Sequence, residues 1–241
     1  MLGFAVAPPL VRRLRRASLP LLASALAPAG VLAQTVSPPI AEYQQRARSS
    51  FQLTNGTLFP LNVVLEVRGF RVSEQGEVID APLDTSKVRV KLSAMSFRIP
   101  ARGTYTVFYE ATADSTPAWF NVLSAMTGAR TESGLNVRIL LPHVVYLNQK
   151  QALAREDVAV RAVEYDSAGQ KVRVQLENLS PRLGRVLQVS AGTDHGKSEP
   201  GAGFPLFPHS LRWTEIPWTD SLPPERLAVR FAKFTIDSVV H

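Results

Sequence analysis

The sequence alternates apolar and polar residues most regularly in the stretch KVRVQLE, residues 171–177. The stretches VRVKL, residues 88–92, and LAVRF, residues 227–231, repeat the same period of two. Successive side chains of a β-strand point to opposite faces of a sheet, so this period predicts half-buried strands. No segment carries an apolar stripe with helical spacing over the length of a helix. The sequence therefore predicts an all-β fold.

Shorter runs with the same character are separated by turn residues such as Asn55-Gly56 and Gln75-Gly76. The further predicted strands are residues 50–54, 61–68, 104–110, 119–126, 135–147, 158–163 and 185–190. Many short strands with turns between them are typical of β-sandwiches. The polar segment 149–156 lacks alternation, so we expect it to link two immunoglobulin-like sandwich domains, at residues 34–148 and 157–241.

The first 33 residues have the pattern of a secretory signal. Four arginines lie within the first 16 residues, and an uncharged apolar run follows from Ala17 to Ala29. That run is too short to cross a bilayer, and small residues follow it, so we expect cleavage between Ala33 and Gln34. Removing the four arginines lowers the formal net charge from +7 to +3, which gives no electrostatic footprint for nucleic acid.

The sequence shows no catalytic or metal-binding constellation. It contains no cysteine, and its four histidines are not spaced as metal ligands. We therefore expect neither an enzyme nor a bound cofactor or metal. Three tryptophans, Trp119, Trp213 and Trp218, leave a carbohydrate-stacking platform open as a minor alternative to burial in the cores.

The apolar run from Leu135 to Leu147 is longer than a typical strand. Leu135, Val137, Ile139 and Leu141 alternate strictly along its first half. One interpretation is a core strand of the first sandwich. The other is an edge strand that lends these side chains to another protein, because long apolar edges invite pairing with other chains.

The order and spacing of these strands resemble the periplasmic pilus-assembly chaperones, the PapD-like family. The resemblance is carried by the N-terminal stretch VSPPI and the strand FQLTN, by the long stretch at residues 88–103, and by FNVLS before the long strand. In the second half it is carried by VRVQLENLSP, residues 172–181, by Pro208 and by a final strand at residues 226–234. The similarity covers nearly the whole chain after residue 34, through diffuse patterns.

The resemblance implies two immunoglobulin-like domains in a boomerang arrangement and a chaperone that binds pilin or fimbrial subunits in the periplasm. Strand G of the family's first domain completes the subunit fold by donor-strand complementation. Here that strand is residues 135–147, and the implied subunit-binding residues are Leu135, Val137, Ile139 and Leu141. Subunits would then pass to an outer-membrane usher.

One part of the family pattern differs. The family anchors the subunit's C-terminal carboxylate with an Arg and a Lys, but Pro39 takes the Arg position and His143 the Lys position. A neutral His is a weak carboxylate partner, and Arg138 on the same strand is the other candidate anchor.

The alternative function is a structural or adhesive β-sandwich component of a surface assembly. The two prolines and poor alternation of residues 34–45 favour the chaperone, because a subunit would carry an alternating N-terminal extension.

Overall fold

The computed structural model describes residues 34–130, 136–193, 198–199 and 201–240, and the regular secondary structure of these residues is almost entirely β-strand. The first ten strands are β1 (Thr35–Ser37), β2 (Ile40–Gln44), β3 (Arg46–Thr54), β4 (Leu61–Val72), β5 (Val78–Pro82), β6 (Val88–Leu92), β7 (Ser96–Ile99), β8 (Thr104–Ala113), β9 (Ala118–Arg130) and β10 (Asn136–Asn148). A 3₁₀ turn at Arg155–Asp157 precedes β11 (Val158–Asp166), β12 (Lys171–Asn178), β13 (Gly184–Gly192), β14 (Phe204–Leu206), β15 (Leu211–Pro217), β16 (Arg226–Phe231) and β17 (Thr235–Val239). The all-β prediction is confirmed. The predicted signal segment lies outside the described residues.

The first ten strands form two sheets that pack face to face. Sheet I has the order β1-β3-β8-β6, and sheet II has the order β2-β10-β9-β4-β5 with β7 also paired to β4. Phe51 and Val107 of sheet I meet Val63 and Phe120 of sheet II in one buried core. Each of these residues occupies an inward position of an alternating strand, which is why the period of two identified their strands.

The N-terminal chain crosses between these two sheets. β1 pairs with β3 in sheet I, and β2 then runs parallel to β10 in sheet II, with Ile40 opposite Val144 and Gln44 opposite Asn148. The backbone N–H of Val144 also donates to the carbonyl oxygen of Pro39 at 2.9 Å. β2 therefore covers only the C-terminal part of β10.

The last seven strands form a second pair of sheets. Sheet III has the order β11-β12-β15, and sheet IV has the order β14-β13-β16-β17. The prediction of a single final strand at residues 226–234 is wrong. The chain turns after Phe231, whose N–H donates to the carbonyl oxygen of Phe234, and the two rings stack at 4.5 Å. The final strand is β17.

A buried asparagine ends the corresponding strand of each sandwich. Asn55 follows β3, and its Nδ2 donates to the carbonyl oxygens of Phe59 and Pro100 at 2.8 and 2.9 Å. Asn178 ends β12, and its Nδ2 donates to the carbonyl oxygen of Arg182 at 2.6 Å. The side-chain oxygen of each Asn accepts N–H and O–H bonds from the residue two positions later. Asn55 and Asn178 each begin an Asn-X-Ser/Thr sequence, and in both cases the sequence forms a turn in which the Asn amide is buried.

The two sandwiches contact each other through a small apolar cluster and a hairpin. Tyr146 and Trp119 of sheet II pack against Phe207 of the second sandwich, with ring centroids 6.0 and 5.0 Å from it. In the turn between β4 and β5, the carbonyl oxygen of Glu74 accepts the N–H of Leu211 at 2.7 Å. An ion pair between Glu42 and Arg185 and a reciprocal pair of hydrogen bonds between Gln149 and Leu183 add to this contact.

Candidate functional site

The first half of β10 is an open strand edge. One side of β10 pairs with β9 along its whole length, whereas β2 covers the other side only from Val144 to Asn148. Within the described residues no strand pairs with this second side over residues 136–143. An edge of this kind offers unpaired N–H and C=O groups to another chain.

The backbone of the open half presents its hydrogen-bonding groups at alternate residues. Val144 donates its N–H to Pro39 on the β2 side, so Pro142 and Leu140, which share its parity, also direct their backbone groups to that side. Pro142 has no N–H and is tolerated here because proline within a sheet is confined to edges. A pairing strand would therefore find acceptors at both residues and a donor at Leu140.

The inward side chains of the open half are apolar and only partly buried. Val137, Ile139 and Leu141 pack against the core of the first sandwich and keep intermediate exposure, whereas Val145 and Leu147 farther along β10 are fully buried. The apolar row is therefore enclosed where β2 covers the strand and accessible where the edge is open. Leu135, the first residue of the predicted set, lies outside the described residues.

His143 lies on the same inward row and is fully buried. Its ring stacks on Phe51 with centroids 4.5 Å apart, and Nδ1 lies 2.7 Å from the carbonyl oxygen of Pro38. Nε2 lies 3.2 Å from the hydroxyl of Tyr109, which is itself 3.1 Å from the hydroxyl of Tyr43. Burial is the main cause that lowers the pKa of His143, and the Pro38 carbonyl opposes it only in part.

These contacts assign the tautomer of a neutral His143. The Pro38 carbonyl can only accept, so Nδ1 carries the proton and donates it, and the unprotonated Nε2 faces the Tyr109 hydroxyl, which donates to Tyr43. Burial raises the pKa of Tyr109, so its hydroxyl stays protonated. Both ring nitrogens are thus used inside the protein, and neither faces the open edge. By contrast, Arg138 is exposed and lies on the outward face of the open half.

A cavity of about 250 Å³ lies between the two sandwiches. Lys150, Arg185 and Lys233 line it together with Tyr146 and Phe234. No sequence pattern predicts this cavity, because its lining comes from segments that are distant in the chain. Among the described residues no three His, Asp or Glu side chains are grouped as metal ligands.

No protein-family model matches the sequence, and a comparison with curated proteins finds no match. Among solved structures, the chain is similar to the class 5 fimbriae chaperone CfaA, with a TM-score of 0.50 and 7% identity over 86% of this chain and 98% of that one. The chain shares the fold of this protein. The chaperone DraB of E. coli (TM-score 0.48, 13% identity, 86% of this chain and 98% of that chain) and the chaperone CupB2 of Pseudomonas aeruginosa (TM-score 0.45, 12% identity, 86% and 100%) also match.

No helix in the described part of the chain is long and apolar enough to cross a membrane.

Proposed function

We propose that this protein is a chaperone of pilus or fimbrial subunits that lends the open half of β10 to an incomplete sandwich. The single observation that carries the proposal is that this strand combines an unpaired edge with a partly exposed apolar row. The fold shared with the fimbrial chaperone CfaA supports it. Under this proposal the protein has no catalytic role and needs no cofactor.

The proposed contact has two physical components. A subunit strand that pairs with the open edge satisfies backbone groups on both chains. Val137, Ile139 and Leu141 then become buried in the subunit, and full burial of such a side chain contributes about 1.5–3 kcal/mol. Because they are already partly buried in the free protein, each contributes less than that full amount. Leu135 is predicted to extend the same row by one position.

A charged group near the open edge would fix the register of the subunit. We propose Arg138 for this role because it is exposed on the open half of β10 and has no ion-pair partner among the described residues. The anchor role predicted for His143 is not part of the proposal, since both of its ring nitrogens are used inside the protein.

The proposal places the protein in the periplasm and gives it an outer-membrane usher as its second partner. Its support is the predicted signal segment at residues 1–33 and the resemblance of the sequence to the PapD-like family. Export would bring the protein to the compartment in which unassembled subunits need protection.

The test is retention of exported subunits by tagged protein in its native host. We expect the wild type to copurify with a β-sandwich subunit encoded beside its own gene, and we expect Ile139→Asp to lose it. Val239→Asp, an exposed valine (64%) on the outer strand β17 of the second sandwich, is the matched control and should retain the subunit. Thermal unfolding and circular dichroism of each variant show whether it is folded.

Two outcomes would overturn the proposal. Equal recovery of the subunit by a folded Ile139→Asp variant would remove the role of β10. Recovery of the wild-type protein in assembled surface fibres, instead of in the soluble periplasmic fraction, would favour the structural component.

A further inference from the structure

The outward face of sheet II carries an apolar row that the described residues leave bare. Leu140 on β10 is opposite Ala125 on β9, and Ala125 is opposite Val64 on β4. Leu140 is 53% exposed and Val64 is 56% exposed. The small side chain of Ala125 thus lies between two larger apolar side chains, and we call this row the outer groove.

This groove continues an apolar face that the protein already uses for burial. Farther along the same outward face, Trp119 and Tyr146 pack against Phe207 of the second sandwich. Exposed apolar area next to a buried interface is typical of a surface that a partner covers. The face is thus closed at one end by the protein's own chain and bare at the end near the open edge.

Exposed arginines flank the groove, together with Glu66, which follows Val64 on the outward face of β4 and is paired with Arg68. Arg138 lies next to Leu140 on the outward side of β10, and Arg98 on β7 is opposite Asn62 in the neighbouring row. Both arginines are exposed, and neither has an ion-pair partner among the described residues. A covering segment would fit best if it carried an apolar side chain for the groove and a carboxylate for Arg138.

We propose that the subunit strand pairing with β10 makes a second contact here, with an apolar side chain over Ala125 and an acidic one beside Arg138. The inference rests on the proposed function and deepens it, because it assigns a specificity surface on the face opposite to Val137, Ile139 and Leu141. Leu140 joins the two contacts, since its backbone lies on the open edge and its side chain forms a wall of the groove. Subunits whose pairing strand is apolar on both faces would be held more tightly than those apolar on the inner face alone.

Val64 provides the test because β9 separates it from β10, so its replacement leaves the open edge unchanged. The probe is the subunit that the wild type retains in the experiment above, refolded from denaturant with each purified variant. We expect Val64→Asp to weaken the complex about tenfold, which corresponds to burial of one valine. Val78→Asp is the matched control, since Val78 is a 60% exposed valine on β5, at the other edge of the same sheet. Arg138→Gln should reduce the dependence of the affinity on ionic strength.

The outcomes separate this inference from the proposed function. If the wild type holds no subunit, the proposed function fails and this inference fails with it. If the wild type holds the subunit and Val64→Asp holds it equally well, only the second contact is overturned. Val64→Asp could also change the oligomeric state of the free protein without changing its affinity for the subunit. That result would show that a second copy of this chain covers the groove, and it would overturn the second contact with the subunit.

Discussion

Replacing Gly76 by alanine should weaken the contact between the two sandwiches. Gly76 lies in the turn between β4 and β5 with φ +84°, a backbone conformation that side chains other than glycine rarely adopt. A Cβ added to it would lie 2.0 Å from the carbonyl oxygen of Leu211 in the second sandwich. Because the obstacle is backbone, it cannot rotate away, and the turn and the second sandwich must separate.

The expected loss of unfolding free energy in Gly76→Ala has three contributions. Left-handed backbone costs a non-glycine residue about 1–2 kcal/mol. Loss of the hydrogen bond from the N–H of Leu211 to Glu74 adds about 1 kcal/mol, and loosening of the aromatic contacts to Phe207 adds about 1 kcal/mol more. We therefore expect Gly76→Ala to lower the free energy of unfolding by about 3–4 kcal/mol.

Gly128→Ala provides the matched control. Gly128 also has positive φ, +99°, but its added Cβ would meet its nearest atom, the carbonyl oxygen of Pro60, at 3.2 Å. Gly128→Ala should therefore lower the free energy of unfolding only by the cost of the left-handed backbone, about 1–2 kcal/mol. Urea unfolding followed by tryptophan fluorescence measures both variants, because Trp119 reports on the contact between the sandwiches. Equal losses for the two variants would show that Gly76 is not held against Leu211.

Three further substitutions test the buried polar groups. Burial holds the pKa of His143 below its ordinary value of 6.5, so the unfolded chain binds the proton more tightly than the folded one. The free energy of unfolding should therefore fall as the pH drops below about 6.5. His143→Gln should flatten this pH dependence between pH 7 and 5 in urea titrations, and an unchanged slope would contradict a neutral buried His143. Asn178→Asp keeps the shape of the side chain but removes the Nδ2 donor to Arg182, so it should lower the unfolding free energy by about 2–3 kcal/mol. The equivalent change Asn55→Asp should cost a similar amount, and a negligible effect of either change in calorimetry would show that the buried amide is not needed.

The sequence predicted the strands whose stability depends on a local alternating pattern. β6, β12 and the long strand β10 agree closely with their predicted ranges because alternate residues along most of each strand are more buried than their neighbours. β14 was not found because three residues, one of them Pro205, are too few to establish a period. β2 was not found because its parallel pairing with β10 depends on the crossing of the chain between two sheets, which no local pattern encodes.

The candidate site was predicted in part. The long strand was found from its pattern, and its open edge was one of two interpretations that the residues allowed. His143 shows the limit of reasoning from resemblance: it has the same parity as Ile139 and Leu141, so alternation alone places its side chain inward. The outer groove does have a signal in the sequence, since Leu140 and Val64 are apolar at positions where alternation predicts polar residues.

The parallel pairing of β2 with β10 limits where a partner strand, that is, a strand of another protein, can bind. The first residue of β2, Ile40, is opposite Val144, so a strand from another protein can pair with β10 only along residues 136–143 before it meets β2. At about 3.3 Å per residue this run is about 26 Å long. β2 therefore acts as a fixed stop that limits how far a partner strand can slide along β10, and so determines which partner residue faces each position of β10.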